Sequence, residues 1–305
     1  SRAARLIDRR VSMRVFVTGA TGGIGSVLVP ELIAAGYEVL GLARSDVSAQ
    51  ALLVAGASVL RGDLDDLEQL SLGAAQADGV IHLAFGADFN NFNASVTREA
   101  LAVEAFGAAL EGSGRPLVIA SGTPVVPGRT STEADAFPND GPVGGRGRNA
   151  ETVIKMAERG VRSAVVRLPR SVHAAGRRCG FASVLVDSAR RTGVSGYVGD
   201  GTQRWPAVHR LDAARLFRLV LERAAPATVV HAVADEGDTM RSIAEVIGHQ
   251  LGLPVESVPA ESFGFFGRIF ATDQPSSSAL TQERFAWEPT HPSLLKDLEA
   301  GNYPV

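Results

Sequence analysis

Val15-Phe16-Val17-Thr18-Gly19-Ala20-Thr21-Gly22-Gly23-Ile24-Gly25 is the stretch on which the fold turns. Its apolar start, rich in β-branched residues, reads as a buried strand, and the pattern from Ser26 to Ala35 reads as a helix. Between them Gly19, Gly22 and Gly25 are spaced G-x-x-G-x-x-G. Glycine lets the backbone turn sharply and come close to a ligand with no Cβ in the way. The start of the following helix presents free N–H groups and a positive dipole end, which favour a pyrophosphate. Strand, turn and helix together read as a dinucleotide-binding turn, with Gly19, Thr21, Gly22, Gly23, Ile24 and Gly25 against the cofactor. A plain glycine-rich turn is the competing reading, and the flanking strand and helix weigh against it.

Working outward, Tyr37 to Ala43 reads as the second strand, ending in Arg44-Ser45-Asp46. In a dinucleotide fold this strand end faces the adenosine ribose, where an acidic residue would bind the 2′-hydroxyl of NAD. Here the first polar residue is Arg44, which can pair with a 2′-phosphate, so NADP(H) is expected over NAD(H). Asp46 stands close enough to argue the other way, and a solvated arginine is the plainer alternative.

The whole composition agrees with such a protein. A chain of 305 residues suits one large α/β domain plus a smaller lobe. The hydrophobic fraction of 45% and mean hydropathy of +0.10 fit a globular protein, and no run approaches a membrane span. A net charge of −3 gives no electrostatic case for nucleic acid or anionic membrane as partner. The single cysteine, Cys179, rules out an internal disulfide and points to a reducing cytoplasm. Residues 1–12 carry Arg2, Arg5, Arg9 and Arg10 without an apolar segment, so they read as an extension ahead of Met13 and not as a secretory signal. No metal is expected.

Thr18 to Gly25 resembles the cofactor loop of the extended short-chain dehydrogenase/reductases, which include NAD-dependent epimerases and dehydratases and dihydroflavonol reductases. Later segments extend the likeness over nearly the whole chain from Met13. The resemblance implies a doubly wound parallel sheet, a Rossmann fold, with a smaller C-terminal substrate lobe. Residues 13–172 plus 206–236 would form the dinucleotide domain, and 173–205 plus 237–305 the lobe. Asp63 would bind the adenine amino group and Leu64 lie on its ring, while Asp65 and Asp66 open the next helix. Leu83, Ala84 and Phe85, ending the apolar strand that starts at Gly79, would run beneath the nicotinamide ribose and pyrophosphate. His82 in that strand reads as a core histidine. The helix from Asn93 to Leu110 packs against its copy in dimers of many relatives, although packing on its own sheet explains its pattern equally well.

The resemblance places the catalytic hydroxyl after the strand Pro116–Ala120, making Ser121 the first candidate and Thr123 the second. The family then supplies a tyrosine and, four residues on, a lysine; the tyrosine donates a proton and the lysine lowers its pKa. Aligning Glu151 puts Val143 and Gly147 at those positions. The tyrosines are Tyr37, Tyr197 and Tyr303 and the lysines Lys155 and Lys296, so no pair has the spacing. Arg148 stands nearest the missing lysine; it could hold a ribose hydroxyl or stabilise an alkoxide, or be merely solvated.

In the second half, Pro169-Arg170-Ser171-Val172-His173 resembles the segment whose proline packs on the nicotinamide, and His173 falls where relatives face an aromatic to the site. It is a candidate replacement acid, or a loop histidine bonded to backbone. His209-Arg210-Leu211-Asp212 opens a helix that Asp212 would cap, with His209 bracing the lobe junction. Tyr197, Arg204 and Trp205 would lie nearer the substrate, and Tyr197 with Trp205 suggest an apolar or planar one. Two functions remain: an NADP(H)-dependent reductase of a carbonyl or imine-like group with a non-standard site, and a non-catalytic NADP(H)-binding sensor or scaffold. A nucleotide-sugar epimerase or dehydratase is a third, which needs the tyrosine more.

Overall fold

The structure is a computed structural model and describes residues 12–86, 91–141 and 143–304. The expected N-terminal extension, apart from Ser12, lies outside the described residues. The first half runs β1 (Arg14–Thr18), α1 (Gly25–Ala34), β2 (Glu38–Ala43), α2 (Asp46–Val54), β3 (Ser58–Arg61), α3 (Leu67–Ala75), β4 (Gly79–His82), α4 (Phe92–Leu110), β5 (Pro116–Gly122), α5 (Gly144–Lys155) and β6 (Arg162–Leu168). Then follow β7 (Ser171–His173), α6 (Phe181–Thr192), β8 (Ser195–Val198), β9 (Arg204–His209), α7 (Arg210–Arg223), β10 (Thr228–His231), β11 (Asp235–Thr239), α8 (Met240–Leu251) and β12 (Val255–Val258). Three short helices close the chain, α9 (Gly267–Phe270), α10 (Ala279–Phe285) and α11 (Leu294–Glu299).

Among the described residues the main sheet has seven strands in the order β10-β6-β5-β4-β1-β2-β3, all parallel. Its central strands are apolar on both faces because helices cover both. Phe16, Val80, Leu117 and Ile119 face α3, α4 and α5, while Val15, Val17, Ile81 and Val118 face α1 and α7. The order reverses between β1 and β4, and ligands in such sheets bind beyond the strand ends at that reversal. Local chemistry sets the helix starts. Ser45 accepts the Ser48 amide at 3.1 Å to cap α2, and Asp66 accepts the Gln69 amide at 3.2 Å to cap α3. Asp65 instead pairs with Arg98 on α4 at 2.8 Å.

The smaller lobe holds the sheets β11-β9-β7 and β12-β8, closed by α6, α8 and α11 around Trp205, Met240, Ile243, Phe270 and Leu298. Phe285 and Trp287, placed by sequence in this lobe, pack in the core of the main domain instead, where the Trp287 indole N–H donates to Asp212 O at 3.0 Å. The lobes meet at a buried histidine–carboxylate network. His173 Nδ1 lies 2.6 Å from Asp297, and His209 stacks on His291 at 4.8 Å between ring centres. The expected cap of α7 is reversed. The His209 ring itself accepts the Leu211 amide at 3.2 Å, while Asp212 takes the amides of Thr290 and His291 and the His291 ring at 2.9 Å.

Candidate functional site

A cavity of about 780 Å³ opens over the carboxyl ends of β1, β2, β3 and β4. The glycine turn forms its floor, and each glycine is there for its own reason. Gly19 has φ +65°, and a Cβ on it would stand 2.8 Å from the Ala84 amide. A Cβ on Gly25 would fall 2.1 Å from Gly19 O, so the helix can sit on its own turn only with glycine there. Gly23 has nothing within 4 Å and faces open space. No side chain caps α1; the Ser26 and Val27 amides turn back to Gly22 O and Ile24 O at 2.9 and 3.1 Å, which leaves the Ile24 and Gly25 amides to a ligand. The turn is pinned from beneath: Thr18 Oγ1 lies 2.7 Å from His82 Nδ1 and accepts the Ala84 amide at 3.3 Å. Burial pushes the His82 imidazole down to about 4, so it is neutral at pH 7, as befits a core histidine.

At the adenosine end Leu42, Arg44, Ser48, Asp63 and Leu64 line the cavity. Asp46 is not among the lining residues; its exposed carboxylate pairs with Arg61 at 2.7 Å, and Arg61 also donates to the Ser45 carbonyl at 2.7 Å. One oxygen of Asp63 accepts the Leu64 amide at 2.7 Å.

At the other end the walls are Leu83, Ala84 and Phe85 after β4, Ala120 on β5, and Leu168 and Val172. Phe85 packs 5.3 Å from Phe92, which lies 5.5 Å from Phe265 of the smaller lobe, so an aromatic row crosses between the lobes. Arg146 was not singled out by sequence, yet its guanidinium lies 4.1 Å over the Phe85 ring. It donates to Ala120 O at 3.0 Å and to the buried Glu99 at 2.9 Å, and Glu99 also takes Asn149 at 2.9 Å. The phase of α5 decides between the two arginines: Gly147, Ala150 and Val153 are buried, so 146 lies at the edge of the inward stripe and 148 points away. Arg148, the sequence candidate, is exposed and donates to Asn139 O at 2.5 Å.

Other candidates also fall outside the cavity. Ser121 is buried beside Ala120, within β5, on the side facing α5. Thr123 is tied to the smaller lobe, its carbonyl accepting Gln274 at 2.5 Å, and Gln274 in turn accepts Arg170 at 2.6 Å. His173 does not serve as a site acid: it is fully buried on Asp297, and burial lowers its pKa. Pro169 is buried between Leu168 and Val172 and those neighbours, not the proline, face the cavity. Trp205 is fully buried 4.7 Å from Phe270 in the lobe core, and Tyr197 stands under the Arg241 guanidinium at 5.5 Å. Trp205 fills the core of the lobe, whereas Tyr197 is half-buried and packs against that core from its edge. The aromatic residue that does reach the cavity is Phe85. The position aligned with the family tyrosine, Val143, is exposed, and a Cβ on Gly147 would stand 1.6 Å from Pro138 O, so no lysine fits there. Arg177, Arg178 and Arg210, none of them a cofactor candidate from the sequence, line the cavity wall together.

Comparison with known proteins agrees with this fold. Residues 15–233 match the NAD dependent epimerase/dehydratase family. An uncharacterized protein of Schizosaccharomyces pombe is 44% identical over 297 residues, covering 95% of this chain and all of that one. One of Saccharomyces cerevisiae is 43% identical over 300 residues, covering 96% and all of it. The dTDP-glucose 4,6-dehydratase of Streptomyces venezuelae, solved with NAD bound, superposes with a TM-score of 0.76 at 18% identity over 95% of this chain and 96% of its own. No helix among the described residues is long and apolar enough to cross a membrane.

Proposed function

We propose that this chain, which belongs to the NAD-dependent epimerase/dehydratase family, is an NADP(H)-dependent oxidoreductase that reduces a carbonyl or imine-like group of a small molecule. The observation that carries the cofactor choice is Arg44 on the cavity wall with Asp46 taken up by Arg61. A guanidinium at the end of β2, where no carboxylate of that strand end lines the cavity, suits a 2′-phosphate and not a ribose hydroxyl. The residues present fit a dinucleotide: Gly19 and Gly25 let the turn fold tightly against β4 and α1, Gly23 faces open space, and the uncapped start of α1 offers a pyrophosphate the Ile24 and Gly25 amides. Bound there, the cofactor supplies the hydride.

The chain supplies the rest. Leu83, Ala84 and Phe85 form an apolar wall that excludes water beside the reacting end. Arg146 fixes the Phe85 ring and the end of β5 together. Ser121, next to Ala120, is buried off the cavity, so in this reading water supplies the proton for the substrate oxygen. The Phe85–Phe92–Phe265 row favours a planar or apolar substrate.

The sensor reading draws on the exposed Val143 and the closed-off Gly147. NADPH oxidation across aldehydes, ketones, diketones and imines separates the two. Turnover with any class supports the reductase. Tight NADPH binding without consumption by any of them would favour the sensor.

A further inference from the structure

The helices α1 and α7 lie side by side and run the same way. Glu31 accepts Arg218 at 2.7 Å midway along them, and the Tyr37 hydroxyl reaches Glu222 at 3.4 Å near their far ends. Their first turns therefore meet, and both Gly25 and Arg210 line the cavity. Arg210 is the first residue of α7, where the helix dipole disfavours a cation. Arg177, in the loop before α6, lines the same cavity. Among the described residues neither has an acidic partner, whereas their neighbour Arg178 is held by Asp187 at 2.6 Å. Burial, and then the repulsion of Arg177, push the Arg210 pKa down. Two cations kept together against a dipole and against each other weaken the empty protein. Such an arrangement persists where function requires it, and an anion between them would reverse every one of these unfavourable contacts.

We propose that Arg177 and Arg210 form a clamp on the pyrophosphate of the dinucleotide, closing on it from the α7 side while the glycine turn holds it from the α1 side. The glycine turn offers amides but no charge, and Arg44 stands at the far, adenosine end, so these two arginines supply the countercharge that the turn lacks. The clamp rests on the dinucleotide reading given above. It also joins the two lobes through the ligand, because Arg177 precedes the first helix of the smaller lobe and Arg210 opens a helix of the main domain.

Titration calorimetry with NADPH, ADP-ribose and 2′-AMP tests the clamp on the wild type, R177Q, R210Q and R210K. ADP-ribose carries the pyrophosphate without nicotinamide, and 2′-AMP carries a 2′-phosphate without pyrophosphate. R177Q and R210Q should each bind NADPH and ADP-ribose at least tenfold more weakly, with 2′-AMP unchanged and R210K in between. Without ligand, R210Q should melt no lower than wild type, since it removes a misplaced cation, which a structural arginine would not allow. Unchanged ADP-ribose affinity in both glutamine variants would overturn the clamp and leave these arginines to a substrate anion or to solvent. A wild type that binds neither NADPH nor ADP-ribose would instead overturn the dinucleotide reading itself.

Discussion

Arg44 and Arg146 show what single residues decide here. Arg44→Ala should weaken NADPH at least tenfold and NADH by much less, since only NADPH presents the phosphate that a guanidinium at the end of β2 can grip; equal losses in a binding titration would refute the assignment. Arg146→Met removes the partner of a carboxylate that is 2% exposed. Leaving such a charge unpaired costs about 3–5 kcal/mol, so the variant should unfold at distinctly lower denaturant. Adding Glu99→Gln should restore much of that loss while the NADPH affinity stays weakened, because the Phe85 ring remains unanchored. Arg44 was legible in the sequence because it follows directly from where a strand ends. Arg146 was not, because choosing between it and Arg148 requires the rotational phase of α5, and a helix opening with Gly144-Gly145 gives little apolar pattern to set it.

At the scale of elements, the short strands β8, β9, β11 and β12 of the smaller lobe were not legible, whereas the strands of the main sheet were, nearly to the residue, since buried parallel strands are continuous apolar runs. The exception is β4, expected to reach Phe85 and ending at His82. Its ladder partner β1 stops at Thr18, where the chain turns away at Gly19, so the residues after His82 are freed to line the cavity. The Thr18–His82 contact that joins these two ends carries a pH dependence. His82 ordinarily titrates near 6.5 and is pushed to about 4 by burial, so between those values the unfolded chain binds the extra proton. Stability is therefore fully present above pH 6.5 and falls as the pH drops towards 4, by on the order of 3 kcal/mol for this group. His231, also lowered to about 4, adds a like slope, and Asp238, held up to about 6 by burial and by Asp235, opposes both. Denaturant titrations of wild type and His82→Asn at pH 7 and pH 4.5 isolate the first contribution. The variant should lose markedly less stability on acidification, and parallel losses would assign the slope elsewhere.

The whole molecule is two lobes around one cavity, and what holds them in register is the least readable feature of the sequence. His173 and Asp297 are 124 residues apart, and His291 meets Asp212 across 79. No local pattern announces such pairs, which is why His173 read as a candidate acid or a loop histidine when it is a strut inside the smaller lobe, beside the junction that Asp212 and His291 make. The strut has a functional consequence. Arg177 and Arg210 lie a few residues beyond His173 and His209, so their approach to the glycine turn is set by how β7 and β9 are braced on Asp297. Asp297→Ala should cost about 1–3 kcal/mol through the stranded His173 donor. It should also weaken NADPH and NADH by the same factor, because the pyrophosphate end is disturbed while Arg44 is not. A selective loss of NADPH would mean that the strut acts on the adenosine end. Unchanged affinity for both would mean that the two arginines keep their positions without it, and that α7 alone, through Glu31–Arg218 and Trp287, fixes Arg210 over the turn.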